Sequence, residues 1–524
     1  MHRVPLPRVP GSLPPSSEGV GAGIVSHGLR VGLVAVLGAG LLTPSLAAQG
    51  YRLRLDARAQ AAAYRGVRAD SVLFTDVVVG PTGGFQTSDG FFVHCDGGTR
   101  CFFFRPGPYL QGGPVVTSAD LTLWGLGLNG LSLRVNARAG ADLGETDAWP
   151  GTDPPIQLLE AYADYASRSV TGRLGRQLLV SRLGTIGFDG GRALVRAEQI
   201  GLEADGYVGY GLARATALPV SSSAINPLDD FQPRSRQLVA GGALGWAGRY
   251  GQARLEYQRE VDRDSRQFGS ERLALSGELR PFSRLNVTGG AEYDLANTWF
   301  GNADLSLRYT TSVVTALVGA RQYRPHFDLW TIWGAFSPVP YHAVNASLWV
   351  HPIARLELRG RWEGYAYSPT ETSTPLVDVD DDGWRLGVGA SYSPNSVWTL
   401  DAGYREEYGP GASSHGFEAS VSAGPLAQLT LTAYGSTLDR PLEFRFEETG
   451  VDVLGLDAEW RSSERLRLAL GGAHYREDRR RPDVSGIDWN QTRLHAGVTL
   501  FLGSGADHSR LPRALRTRAP AGTR

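Results

Sequence analysis

The chain has 524 residues, a formal net charge of −1 and 42% hydrophobic residues. A net charge this close to zero says nothing about the partners of the protein. We predict no interaction with nucleic acid. Beyond the N-terminus no run of about 18 apolar residues occurs, which excludes a hidden helical membrane span. The length allows several soluble domains or one very large closed sheet.

The N-terminus has the pattern of an export signal. Three arginines precede the apolar run 31–42, and the small residues Ser45 and Ala47 follow it at the spacing that signal peptidase recognises. About 12 apolar residues are too few for a helix that spans a bilayer. We therefore predict a cleavable signal peptide over residues 1–48.

After residue 50 one unit recurs along the chain: about ten residues of alternating apolar and polar side chains, followed by a turn. In residues 131–140, LSLRVNARAG, the odd positions are all apolar, whereas Arg134 and Arg138 occupy even positions. Such a strand has one apolar and one polar face. Its length suits a tilted strand that crosses a membrane, which needs about 9 to 11 residues.

The connections between these units alternate between short turns and longer polar links, a pattern typical of bacterial outer-membrane barrels. We count about 22 crossings, with a range of 18 to 26. The sequence therefore predicts an all-β fold, a transmembrane antiparallel β-barrel over residues 49–503 with short periplasmic turns and long extracellular loops. Closure leaves no unpaired strand edge in lipid. The predicted location is the outer membrane of a Gram-negative-type bacterium, with Arg134 and Arg138 inside the lumen.

A long first outer loop is predicted over residues 66–117, with an additional hairpin inside it as the alternative. The loop contains both cysteines, Cys95 and Cys101. Their short separation in an exported chain predicts a disulfide. Three phenylalanines follow Cys101 and are costly to leave in water, so we expect residues 88–113 to pack against the barrel wall or inside the lumen.

The last predicted strand resembles the assembly signal of outer-membrane proteins, and a basic segment, residues 504–524, follows it. We predict that this segment is a disordered periplasmic tail. The expected partners are outer-membrane lipid and lipopolysaccharide, together with the barrel-assembly machinery during biogenesis.

Residues 158–196 contain the sequences LGRQ and FDG, separated by a short loop and followed by an arginine. This segment resembles a region of the alginate-export family of outer-membrane porins. The matching residues are Gly175, Arg176, Gln177, Phe188, Asp189, Gly190 and Arg192. The resemblance implies a barrel of the exporter or porin type, and the arginine-rich lumen of family members that carry acidic polysaccharide is compatible with Arg173, Arg176, Arg192 and Arg196. A purely structural interpretation stays open, in which an inward Arg176 pairs with Asp189 or Glu160 and holds a loop.

We predict ten residues that line the lumen or contact substrate. They are Arg134, Arg138, Arg173, Arg176, Gln177, Asp189, Arg192, Arg196, Arg359 and Arg361. Arg359 and Arg361 share one face of a strand with Glu357 and Glu363. Ladders of opposite charge often brace a wide lumen across its strands and set an electric field along it.

Residues 378–383, DVDDDG, match the first positions of an EF-hand calcium-binding loop, with Asp378, Asp380 and Asp382 as candidate oxygen ligands. Position 389 is glycine where an EF-hand requires a glutamate, which excludes an EF-hand. The loop supports either a Ca²⁺ site completed from elsewhere or a solvated acidic loop. We predict no other cofactor.

The sequence contains no GxSxG, HExxH or CxxCH motif, so we predict neither an enzyme nor a covalently bound haem. The predicted function is an outer-membrane channel of the porin or exporter type that passes small hydrophilic or anionic solutes through a charge-lined lumen. The alternative is a barrel scaffold that sheathes a periplasmic multihaem cytochrome in an electron conduit. A TonB-dependent transporter is disfavoured because the first strand begins next to the predicted cleavage site, which leaves no room for a plug domain before the barrel. A soluble array of β-sandwiches is disfavoured because it has no reason to alternate short and long connections.

Overall fold

The computed structural model describes eleven stretches of the chain. They are residues 50–80, 83–95, 97–144, 156–212, 237–261, 268–324, 341–368, 382–409, 412–443, 447–480 and 489–504. The predicted signal peptide and residues 505–524 of the predicted tail lie outside the described residues. Within these stretches no helix is both long and apolar enough to cross a bilayer.

The described residues form 25 strands and one short 3₁₀ turn, Phe74–Asp76. The first strands are β1 (Gly50–Leu73), β2 (Val78–Val79), β3 (Phe85–Gln86), β4 (Arg100–Gly112), β5 (Pro114–Trp124), β6 (Leu131–Asp142), β7 (Ile156–Ala166), β8 (Val170–Ser181), β9 (Gly184–Ala197), β10 (Leu202–Gly211), β11 (Leu238–Ala247) and β12 (Gly251–Val261). The later strands are β13 (Phe268–Phe282), β14 (Leu285–Asp294), β15 (Trp299–Thr310), β16 (Val314–Tyr323), β17 (Tyr341–Ile353), β18 (Leu356–Tyr367), β19 (Asp382–Tyr392), β20 (Trp398–Gly409), β21 (Ala412–Leu426), β22 (Leu429–Glu443), β23 (Glu447–Arg461), β24 (Leu466–Arg480) and β25 (Trp489–Ser504).

All strands except β2 and β3 belong to one sheet of 23 segments, and that sheet is closed. Residues 51–64 of β1 pair antiparallel with residues 491–504 of β25, while the other edge of β1 pairs with β5 and β4. Gly113 alone separates β4 from β5, so these two segments form one continuous strand. The wall therefore has 22 antiparallel strands, and the predicted barrel is confirmed.

The two ends of the barrel differ in the length of their connections. At one end, which also carries residues 50 and 504, turns of two to six residues join the strands. The longest connections, 143–155, 212–237, 324–340 and 368–381, lie at the opposite end. The short-turn end is the periplasmic end of a bacterial barrel, and the other end faces outward.

The inner face of the wall is identified by side chains that bridge over a neighbouring strand, because a concave surface brings such residues closer together than a convex one does. Arg321 on β16 reaches Glu363 on β18, and Arg359 on β18 reaches Asp401 on β20. Strict alternation along each strand places the remaining side chains on one face or the other. The inner face of the described wall is largely polar and charged, apart from a small apolar cluster around Phe188 and Val239.

The outer face carries an apolar band with aromatic residues near its limits. The ring at the periplasmic end comprises Tyr51, Trp246, Tyr309, Tyr392, Trp398 and Trp460, all substantially exposed. On β20, Trp398 and Tyr408 both face outward and are ten residues apart, which corresponds to about 25 Å along the normal of a membrane crossed at about 40°. That height matches a bilayer core. The protein is an outer-membrane barrel. In residues 131–140, Leu133 lies on the outer face and Arg134 on the inner face.

Much of the predicted first outer loop, residues 66–117, is strand. Beyond residue 64, β1 pairs with β4 as far as Leu73, so this hairpin continues past the rim of the wall. Its tip contains the predicted Cys95–Cys101 disulfide. Phe103 is buried and stacks on Phe91, whereas Phe102 and Phe104 are 58% and 60% exposed. The predicted packing of the three phenylalanines on the wall or in the lumen differs from this arrangement, because consecutive strand residues point to opposite faces.

Candidate functional site

The predicted lumen arginines of β6 lie on the inner face, where they have polar partners. Arg134 contacts the carboxylates of Asp120 on β5 at 3.0 Å and Glu160 on β7 at 3.3 Å. Arg138 donates to the side-chain oxygen of Gln157 at 2.8 Å. Both arginines therefore tie neighbouring strands together.

A second group of predicted arginines lies on the inner face of β8 and β9. Arg173 pairs with the buried carboxylate of Asp164 at 3.0 Å, and Arg192 pairs with the buried carboxylate of Asp205 at 2.5 Å. Asp205 also accepts a hydrogen bond from Arg254 at 3.3 Å. Arg192, Asp205 and Arg254 are thus linked, and the Arg173–Asp164 pair lies next to them because Arg173 pairs in register with Arg192.

The three remaining predicted arginines are also on the inner face. Arg196 donates to the hydroxyl of Thr171 at 3.3 Å, and Arg359 pairs with Asp401 at 2.5 Å. Among the described residues Arg361 has no carboxylate partner. Because most lumen arginines face a carboxylate, the inner wall is a braced network of nearly balanced charge and not an unbroken cationic surface.

Arg176 and Asp189 lie on the face opposite to the one predicted. They form a two-pronged ion pair with distances of 2.7 and 2.9 Å, and Arg176 also donates to the carbonyl oxygen of Leu158 at 3.0 Å. Arg176 is three residues from Arg173, and Asp189 is three residues from Arg192. An odd separation in a strand puts side chains on opposite faces. The spacing in the sequence therefore already indicated that Arg176 and Asp189 lie on the face opposite to Arg173 and Arg192.

The two sequence motifs meet at a bend of the wall. Gly175 of LGRQ pairs in register with Gly190 of FDG, and Gly190 pairs with Gly209 on β10. Gly175 has φ of +127°, and a Cβ atom at Gly190 would lie 2.1 Å from the carbonyl oxygen of Val208. Only glycine fits such a conformation and such a close approach, so the three glycines allow the strands to bend sharply.

Beyond this bend the ends of β8 and β9 leave the wall and turn into the lumen; we call residues 177–187 the inner hairpin. These residues pair mainly with each other, because β7 pairs with β8 only as far as residue 176 and β10 pairs with β9 from residue 188 onward. Leu179 and Ile186 of the inner hairpin pack with Phe188 and with Val239 of β11 in a fully apolar cluster. The outer connection here is only two residues long.

Polar contacts attach the tip of the inner hairpin to distant strands. The backbone N–H of Arg182 donates to Glu256 on β12 at 2.9 Å. The guanidinium of Arg182 pairs with Asp304 on β15 and approaches the carbonyl oxygen of Asn302 at 3.5 Å. The inner hairpin thus spans from β9 to β15, six of the 22 strand intervals, or about a quarter of the circumference.

The wall behind the inner hairpin holds a buried polar network that sequence reasoning did not identify. The hydroxyl of Tyr207 donates to Gln258 at 3.2 Å, and Gln258 donates to Glu260 at 2.7 Å. Arg272 pairs with Glu292 at 3.1 Å nearby. Gln177, buried at the base of the inner hairpin, donates to the carbonyl oxygen of Gly190 at 3.0 Å. Gly175 and Gly190, which flank a short outer turn, could have indicated the bend, but no local pattern indicates the network behind it.

The predicted calcium ligands are only partly described. Asp382 is the first residue of β19, whereas Asp378 and Asp380 lie outside the described residues. Within the described stretches no group of three or more His, Cys, Asp and Glu side chains is placed to hold a metal ion. The Ca²⁺ site therefore stays a prediction.

The fold and its inner face define a large outer-membrane β-barrel with a polar lumen. The sequence matches no protein-family model and no curated protein. Similar solved structures include a BenF-like porin from Pseudomonas fluorescens Pf-5, with 9% identity, a TM-score of 0.38 and coverage of 86% of this chain and 99% of that chain. OpdK of Pseudomonas aeruginosa with vanillate has 11% identity, a TM-score of 0.37 and coverage of 86% and 99%. The copper transporter OprC has 11% identity, a TM-score of 0.42 and coverage of 85% and 80%.

At these identities and scores the similarity carries no argument about substrate. None of the comparisons supports the resemblance of residues 158–196 to alginate-export porins. The LGRQ and FDG residues instead have a local explanation in this chain, since they form the bend, the ion pair and the base of the inner hairpin.

Proposed function

We propose that the barrel is a passive channel for small hydrophilic solutes, narrowed in its outer half by the inner hairpin. The observation that carries this proposal is the anchoring of the inner hairpin within a polar lumen through the Phe188 cluster, Glu256 and Asp304. A hairpin held inside the lumen restricts the size of solutes, while the charged wall favours hydrated over apolar ones.

The balance of charge on the inner face supports weak ion selectivity. The arginines near the inner hairpin are paired with carboxylates, as in Arg173–Asp164 and Arg192–Asp205. Paired charges contribute a small net field, so the channel discriminates between solutes mainly by size. Positions such as Arg361, which has no carboxylate partner within the described stretches, give a modest preference for anions.

The test is the single-channel conductance of the refolded mature chain in a planar bilayer, with reversal potentials measured in a KCl gradient. We expect steady conductance steps and a reversal potential close to zero with a small anion preference. A strong anion preference would extend the proposal to acidic solutes, and uronic acid oligomers would then be the next probes. Folded barrels that give no steps in either orientation would overturn it.

A second function, a sleeve around a partner protein, is favoured by the number of strands. Twenty-two strands spaced by about 4.8 Å and tilted by about 40° close a backbone cylinder roughly 40 Å across. Aqueous channels for small solutes are built with 16 to 18 strands. A multihaem protein that co-purifies with the barrel from native membranes, detected by its haem absorbance, would support the sleeve; a barrel isolated without haem but with steady conductance would exclude it.

A further inference from the structure

Tyrosine side chains gather on the inner face at the outer ends of three neighbouring strands. The ring centroids of Tyr323 on β16 and Tyr341 on β17 are 5.4 Å apart, and those of Tyr341 and Tyr367 on β18 are 5.7 Å apart. We call these three residues the tyrosine patch. Pairing of Tyr323 with Tyr341, and of Tyr341 with Tyr367, places all three on one face. Aromatic rings on the inner face cannot serve as a lipid girdle.

Tyr365 supports the patch from the wall and belongs to a different environment. It is buried, its ring lies over Gly383, and its hydroxyl donates to Glu407 at 3.3 Å. The patch itself is more open, since Tyr323 is 40% exposed and its two neighbours are partly exposed. Considering only the described residues, the hydroxyl groups of the patch have no side-chain hydrogen-bond partner, so they can serve a ligand.

Directly below the tyrosine patch runs a ladder of alternating charge. Arg321 pairs with Glu363 at 2.7 Å, and Arg385 pairs with Glu363 and with Glu407, both at 2.8 Å. The guanidinium of Arg321 also lies 5.5 Å from the ring centroid of Tyr341. Two arginines and two glutamates balance, so this surface offers many hydrogen-bonding groups with little net charge.

The patch also lies close to the tip of the inner hairpin. Arg321 pairs in register with Asp304, the residue that holds the tip of the inner hairpin through Arg182. Tyr323 is two residues further toward the outer end of the same strand. A solute that enters from outside therefore meets the tyrosine patch immediately before it reaches the inner hairpin.

We propose that the tyrosine patch and the charge ladder below it form a vestibule site that binds a neutral sugar ring. The C–H face of a pyranose packs on aromatic rings, and its hydroxyls pair with tyrosine hydroxyls, guanidinium groups and carboxylates. The balance of charge in the ladder favours neutral over acidic sugars. This inference rests on the proposed function, because it assigns a solute class to the same channel.

The test combines direct binding with block of the ion current. Titration calorimetry of the detergent-purified full chain uses maltohexaose and cellohexaose as neutral probes and a galacturonate trimer as the acidic probe. The same sugars are then added on each side of a planar bilayer that contains single channels. We expect at least one neutral oligomer to bind and to interrupt the current, and the acidic trimer to bind at least tenfold more weakly.

Two variants and a matched control locate the site. Tyr341→Ala removes the central ring and should weaken neutral-sugar binding at least tenfold, and Tyr323→Phe keeps the ring but removes a hydroxyl and should weaken it several-fold. Tyr408→Ala removes a tyrosine from the outer face, where it is well exposed, and should leave binding unchanged. The heat-modifiable migration of each folded barrel on a gel checks that the variants fold.

The outcomes separate this inference from the proposed function. Absence of binding and block by both neutral oligomers, preference for the acidic trimer, or unchanged affinity in both patch variants would overturn the vestibule site while leaving a conducting channel intact. Should Tyr341→Ala fail to fold, Tyr323→Phe alone decides. Sugar binding to a barrel that never conducts would support the site and overturn the channel.

Discussion

Phe188 is the residue whose truncation should release the inner hairpin from the wall. Its side chain is fully buried against Leu179, Ile186 and Val239. Replacement of a buried phenylalanine by alanine costs about 3–5 kcal/mol. The ion pair at the tip is weaker, because the side chains of Arg182 and Asp304 are 19% and 45% exposed and such pairs contribute about 0–1 kcal/mol. Packing, more than charge, therefore holds the inner hairpin in place.

The size of the effect on conductance follows from the geometry of the barrel. The inner hairpin spans six of 22 strand intervals, so its path across a lumen about 40 Å wide is a chord of about 30 Å. A two-stranded ribbon about 10 Å wide, together with the space enclosed behind it, occupies roughly a third of the cross-section. We therefore expect Phe188→Ala to raise the single-channel conductance about 1.5-fold, with larger fluctuations.

The assay is planar-bilayer conductance at high KCl concentration, with Phe417→Ala as the matched control. Phe417 is 50% exposed on the outer face, so its truncation should leave the conductance unchanged. Arg182→Ala should widen the lumen less than Phe188→Ala and shift the reversal potential toward cations. A folded Phe188→Ala barrel with wild-type conductance would show that the inner hairpin does not restrict ion flow.

Three further predictions concern single residues of the wall. Leu174 is 70% exposed on the outer face, so Leu174→Arg should lower the free energy of unfolding in lipid vesicles by about 2–4 kcal/mol; an unchanged value would contradict a lipid-facing position. Arg359→Ala leaves the negative charge of Asp401 without its ion-pair partner, so the reversal potential should move toward cation preference. An unchanged reversal potential would contradict this prediction. Gly175→Ala would place Cβ 2.3 Å from the carbonyl oxygen of Ala161. The free energy of unfolding of this variant should be about 1–3 kcal/mol lower than that of the wild type, measured by urea denaturation, and an unchanged value would contradict the close approach.

Several elements could be predicted from the sequence because lipid imposes a strict local rule. Every strand must turn apolar side chains to the bilayer and leave no unpaired edge, so alternation and turn spacing predict the number of strands and the orientation of each. The positions of Leu133 and Arg134 follow from this rule, as does the count of 22 crossings. The odd separation of Arg173 and Arg176 along the strand also places their side chains on opposite faces, although residue type alone suggested that both face the lumen.

Only the tertiary structure decided where the ends of the strands go once they pass the rim. Alternation states which side chains share a face, but it does not state whether a hairpin continues the wall, as β1 and β4 do, or folds inward, as residues 177–187 do. The inward fold depends on contacts of Arg182 with Glu256 and Asp304, which are 74 and 122 residues away in the chain. Such contacts form only when the closed barrel brings β12 and β15 opposite the tip, so no local pattern encodes them.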